Sequence, residues 1–98
     1  MQDVTLYQNA NQDIDIFVSG ENLITVFNKD TVLEYIDNGS VDLMIELIDQ
    51  DKMSKFQISA LTSIEHFAQL VVTELPKNVR NIGANVYLND YLVATTEY

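Results

Sequence analysis

The sequence predicts an α+β fold: an antiparallel sheet built from hairpins, with one main amphipathic helix over residues 62–75 and one short helix over residues 30–37. Three observations carry this expectation. Several short runs alternate apolar and polar residues, the period of a half-buried strand. Ile64, Phe67, Ala68, Val71, Val72 and Leu75 recur at the spacing of one helix face. Gly, Asn and Asp punctuate the runs where turns belong. The chain has 98 residues, and one domain usually takes about 100–200, so residues 1–98 are read as a single domain. With 47 % apolar residues it can bury enough surface to offset the entropy of ordering. Nothing repeats at a fixed period, and no linker or low-complexity segment divides the chain.

The first strands follow from alternation. Val4 and Leu6 face inward, Asn9-Ala10-Asn11-Gln12 interrupts, and Ile14, Ile16 and Val18 then share one face. Ser19-Gly20-Glu21-Asn22 reads as a hairpin turn, with Gly20 supplying positive φ. Centring that turn on Gly20-Glu21 pairs Val18 with Leu23 and Ile14 with Phe27. Thr31 and Glu34 have capping-box spacing, and Asn38-Gly39 closes the short helix. The Asn38-Gly39-Ser40 sequon is thereby explained as a helix stop.

Residues 41–49 fit either a helix or a strand. The alternation of Phe56, Ile58 and Ala60 with Lys55, Gln57 and Ser59 favours a second hairpin, the helix remaining the alternative. A turn over Gln50-Asp51 pairs Ile45 with Phe56, Leu43 with Ile58 and Glu46 with Lys55. Thr62-Ser63-Ile64-Glu65 is a second capping box, opening the main helix that stops before Pro76. Residues 77–81 form a polar connector. Residues 86–93 close the fold as a hairpin around Asn89-Asp90, residue types that tolerate the left-handed region.

Motifs for catalysis and cofactors are missing. There is no Cys, which removes disulfides, thiolate nucleophiles and Cys-ligated zinc. The three glycines stand at 20, 39 and 83, too far apart for a phosphate-binding loop. His66 falls on the predicted solvent face of the main helix, without a convergent nucleophile. Asn9, Asn11, Asp13 and Asp15 have the alternate spacing of a calcium loop, but Ile14 occupies its glycine position and Gly20 its final glutamate position. The carboxylate pairs Asp13/Asp15 and Asp49/Asp51 lie on strand faces or turns expected to be solvated, where acid–base chemistry lacks a pocket. No catalytic, cofactor-binding or metal residue is assigned, no cofactor is expected, and the chain is read as a non-enzyme. The opening residues have neither a basic nor an apolar signal region, and no apolar run approaches the roughly 20 residues of a membrane span. The expected compartment is the cytoplasm.

Charge is the informative feature. Fifteen acids against five bases give a net −10. Residues 1–28 contribute −4, 29–51 contribute −6, 52–80 contribute +2 and 81–98 contribute −2. The whole excess therefore sits in the first 51 residues. Asp30, Glu34 and Asp37 form a stripe on the short helix; Asp13 and Asp15 share a strand face, as do Asp42 and Glu46, with Asp49 beyond. Such clustering costs a little stability by repulsion and serves solubility in any case. It also offers an electronegative surface to a basic groove.

Small size, strong acidity and absent catalytic motifs resemble the broad class of phage and mobile-element inhibitors that mimic nucleic acid, a likeness of type with no shared residue motif. It implies binding to a basic protein partner, a nucleic-acid-processing enzyme such as a nuclease, restriction system or CRISPR effector. Asp13, Asp15, Asp30, Glu34, Asp37, Asp42, Glu46 and Asp49 are the expected contacts, with no direct binding to nucleic acid or membranes. The alternative is a self-associating or structural subunit, a homodimer for instance, using an exposed strand edge and the patch around Tyr87, Tyr91, Leu92 and Tyr98.

Overall fold

A computed structural model of the chain describes residues 3–38, 41–48, 52–58, 63–75 and 83–96. In chain order the elements are β1 (Val4–Gln8), β2 (Ile14–Val18), β3 (Glu21–Val26), α1 (Lys29–Asn38), β4 (Val41–Leu47), β5 (Lys52–Ile58), α2 (Ile64–Glu74), β6 (Ala84–Leu88) and β7 (Tyr91–Thr95). The strands make one seven-stranded sheet in the order β1-β2-β3-β7-β6-β4-β5, with every neighbouring pair antiparallel. This is the α+β arrangement that the alternation and the helical stripe predict.

Both helices lie on one face of the sheet. Ile14, Ile16, Ile24, Val26, Leu43, Ile45, Val86 and Leu88 point toward them and join Val32 of α1 and Phe67, Ala68, Val71 and Val72 of α2 in a single core. The predicted stripe of α2 is buried as expected, with Ile64 packed at the margin. Ser63 caps α2, its Oγ accepting the His66 N–H at 3.1 Å. The cap thus falls one residue after Thr62, which lies outside the described residues. His66 is half-buried on α2, rather than on a fully exposed face. The helix ends at an extended Leu75, the backbone that a following proline imposes. On α1, Thr31 is no cap: the helix starts two residues earlier, and the Thr31 and Val32 N–H groups bond to the Asn28 carbonyl.

The hairpin registers differ from those expected. Ser19 and Gly20 both take positive φ, at 53° and 83°, so they form the two-residue turn and Val18 faces Glu21. Past the turn the register shifts, leaving Leu23 as the extra residue of a bulge. Ile16 then meets Ile24, and Ile14 meets Val26. Without the bulge Ile24 and Val26 would turn to the other face. In the second hairpin Leu43 faces Phe56, Met44 faces Lys55 and Glu46 faces Met53. That slip of two residues keeps every strand face correct but removes the Glu46–Lys55 pair. Gln50-Asp51 lies outside the described residues. The closing turn is Asn89-Asp90, as predicted, with φ of 48° and 72°.

The sheet also contains a repeat that the sequence reading misses. The β6–β7 hairpin reproduces β2–β3, with a two-residue positive-φ turn and a register shift at the same place. Residue 16 corresponds to 86 and residue 25 to 95, an offset of 70. Outside each hairpin a strand is held identically. Ser19 N–H donates to the Asp3 carbonyl at 2.9 Å, and Asn89 N–H to that of Asp42 at 3.0 Å. Likewise Asn9 N–H reaches the Asp13 carbonyl at 2.9 Å, and Ile48 N–H that of Gly83 at 3.0 Å. The units β1-β2-β3 and β4-β6-β7 are therefore related by a local two-fold axis normal to the sheet. The pair Thr25–Thr95 stands on that axis.

The turn assignment is testable by urea unfolding. Ser19→Asn, which suits the first position of this turn, raises stability by about 0.5 kcal/mol. Gly20→Ala lowers it by about 1 kcal/mol for its left-handed backbone, although a Cβ there meets nothing within 4 Å. Asn at position 21 gives no gain, since Glu21 begins the strand.

Candidate functional site

The eight acidic residues singled out above do not gather on one surface. Asp15 and Glu46 point away from the helices, onto the uncovered sheet face, and both are half-buried. There they end a polar row that crosses the middle of the sheet. Thr25 Oγ1 donates to Asp15 Oδ1 at 2.6 Å, Thr95 Oγ1 to Asn85 Oδ1 at 2.7 Å, and Asn85 Nδ2 to Glu46 Oε1 at 3.1 Å. Tyr87 OH also donates to Glu46 Oε1, at 3.3 Å, and Asn9 Nδ2 to Asp15 Oδ2 at 3.4 Å. These two carboxylates are engaged within the protein.

Asp30, Glu34 and Asp37 are exposed on α1, in the helix layer on the other side of the sheet. Among the described residues none of the three is held by an ion pair or a side-chain hydrogen bond. At the N-terminal end of α1, Asp13 and Asp30 line a polar cleft of about 410 Å3 with Gln8, Gln12, Lys29 and Thr31. Asp42 of β4 is exposed. Asp42 N–H is held by Asn89 Oδ1 at 2.9 Å, beside the Asn89-Asp90 turn. Asp90 is thus brought next to Asp42 by tertiary pairing, a neighbour that linear charge counting overlooks. Asp49 lies outside the described residues.

The calcium-like spacing has a local explanation. Asn9 Oδ1 accepts the backbone N–H groups of Asn11 and Asp13 at 2.9 and 3.1 Å, turning inward to close its own loop. Among the described residues no three His, Cys, Asp or Glu side chains converge as a metal site.

The tyrosine patch of the alternative reading is divided as well. Tyr87 and Leu92 face each other on the uncovered sheet face, whereas Tyr91 pairs with Leu88 on the helix side. Tyr91 is 65 % exposed there, and Tyr98 lies outside the described residues. Burial, then Tyr91, then Glu34 push the Tyr35 phenol of α1 above its ordinary pKa. Burial first, and the Glu46 charge second, raise Tyr87 in the same direction. No protein-family model, curated protein or solved structure matches the chain.

The polar row has a measurable signature. Glu46→Ala leaves Asn85 and Tyr87 without their acceptor and costs about 1–2 kcal/mol, whereas Glu46→Gln keeps an oxygen and costs less. Because the Tyr87 pKa is raised in the folded state, its contribution is complete below pH 10, the ordinary tyrosine value. As pH rises past 10 the unfolded chain ionises first, and stability falls toward the folded pKa. Tyrosinate absorbance of Glu46→Gln emerges at lower pH than in the wild type.

Proposed function

We propose that the chain is a non-enzymatic acidic binding protein, an inhibitor of the anti-CRISPR, anti-restriction or nuclease-inhibitor type, that occupies the basic nucleic-acid groove of its target. The carrying observation is the α1 edge. Asp30, Glu34 and Asp37 follow one another at about 6 and 4.5 Å along the helix axis, exposed and unpaired among the described residues. Asp13 in the cleft extends this edge at the N-terminal end of α1, whereas Asp42, in phase with Glu46 on β4, adds its charge to the uncovered face of the sheet. A DNA strand carries one charge per about 3.4 Å of axis, so a groove lined with Lys and Arg meets a comparable density of negative charge. Exposed carboxylates add long-range attraction to a basic partner and repel DNA and anionic lipid. Asp15 and Glu46 have a different role, since their oxygens already serve the polar row. Targets of this class work in the cytoplasm, and the chain is placed there with them.

The test is capture from host lysate on the immobilised protein. A nucleic-acid-binding enzyme is retained at about 0.1 M salt, released near 1 M where the Debye length falls to about 3 Å, and displaced by duplex DNA. Replacing Asp30, Glu34 and Asp37 together by Lys abolishes retention while the far-UV spectrum stays native. Retention that survives this triple reversal, or that DNA does not displace, overturns the reading.

A further inference from the structure

We infer that the open edge of β1 is an association surface for a second copy of this chain, joined antiparallel, β1 to β1. The two edges of the sheet differ in kind. β5 carries Lys52 and Lys55, the charged residues by which sheet edges avoid pairing. β1, Val-Thr-Leu-Tyr-Gln, has no charge, no proline and no bulge. Only β6 and β7 are likewise uncharged, and both are interior strands. Thus β1 has the composition of a paired strand at an unpaired position.

The internal two-fold gives the missing neighbour its geometry. β4 is the counterpart of β1, and on its outer side β4 holds an antiparallel strand, β5. Among the described residues no strand takes the corresponding place beside β1. The bonds from Ser19 N–H to the Asp3 carbonyl and from Asn9 N–H to the Asp13 carbonyl set the phase of β1. Its odd-numbered residues point their backbone groups at β2, so Val4, Leu6 and Gln8 present theirs to the open edge. Those three are the positions at which an antiparallel strand would bond.

The strand is also complementary to itself. With Leu6 opposite Leu6 of the second copy, Val4 meets Gln8 and Thr5 meets Tyr7. Val4 and Leu6, which pack at the core margin only partly buried, gain cover on the helix side. Tyr7, 60 % exposed and edge-on to Phe17 with centroids 5.3 Å apart, gains it on the other. For chains of net charge −10, a neutral strand is the place where two copies meet with least repulsion. Pairing β1 with β5 of another copy instead would leave free edges at both ends and grow filaments; the β1–β1 contact closes as a dimer.

Sedimentation velocity between about 1 and 500 µM tests this, in the affinity range of small interfaces. The expected result is a monomer–dimer equilibrium that strengthens with salt as repulsion is screened, opposite to the capture of a basic enzyme. In the dimer the Val4, Leu6 and Gln8 amides exchange hydrogen at least tenfold more slowly than at dilution. Thr5→Lys with Tyr7→Lys sets lysines against each other across the joint and gives a monomer throughout, whereas Met53→Lys on the far edge leaves the equilibrium unchanged. A wild-type monomer at every concentration overturns the inference. So does a dimer whose Val4, Leu6 and Gln8 amides exchange at the monomer's rate.

Discussion

The seam between β3 and β7 is the joint on which the rest of the molecule depends. Thr25–Thr95 and Val26–Ala94 pair across it, and the Phe27 N–H adds a bond to the Val93 carbonyl at 2.7 Å; this short seam unites two three-stranded units in one sheet over one core. Cross-bracing makes so short a seam sufficient. α1 follows β3 of the first unit but packs on β7 of the second, while α2 belongs to the second and packs on β1 of the first. The helices also touch each other. Opening the seam would therefore strip both helices from half of their support and expose Val26 and Ala94, which are fully buried. The bulges at Leu23 and Val93 serve the same end. They let a tight two-residue turn coexist with a strand whose seam-side residues are in phase with the core.

Much of this fold is legible in the sequence because burial follows period. The α2 stripe, the inward faces of β2 and β4 and the Asn89-Asp90 turn all come from spacing alone. Cross-strand partners are harder, for two physical reasons. A shift of two residues between β4 and β5 preserves every face, so hydrophobic pattern cannot distinguish Glu46 opposite Lys55 from Glu46 opposite Met53. A bulge inserts one residue without changing composition, so Leu23 reads as an ordinary member of an alternating strand. The repeat is hidden for a further reason. Across residues 14–26 and 84–96 only Thr25 and Thr95 are identical, because the constraint acts on backbone phase and side-chain size.

The candidate site is legible in part. Sequence position does locate the α1 stripe, since three carboxylates at i, i+4 and i+7 must share a helix face. It does not separate acids that face solvent from acids that hold the protein together. Asp15 and Glu46 alternate with apolar residues, like any exposed strand residue, and only tertiary pairing reveals the Thr25, Asn85 and Tyr87 groups bonded to them. Conversely, Asp90 stands far along the chain from the acidic half and reaches Asp42 through the β4–β6 ladder.

These two classes of acid suggest why the molecule tolerates so much negative charge. Carboxylates on the uncovered sheet face accept hydrogen bonds, which offsets part of their desolvation. Those on α1 remain in water, where mutual repulsion at i, i+4 costs only about 0.2–0.5 kcal/mol per pair. Repulsion between whole molecules is the larger constraint, and it restricts self-association to neutral backbone such as β1. A two-fold axis normal to the sheet, there as at Thr25–Thr95, would keep both helix layers on one side. The α1 stripes of two copies would then face the same direction across a continuous sheet. Charge that hinders assembly along most of the surface would, at that one edge, be doubled toward a common basic partner.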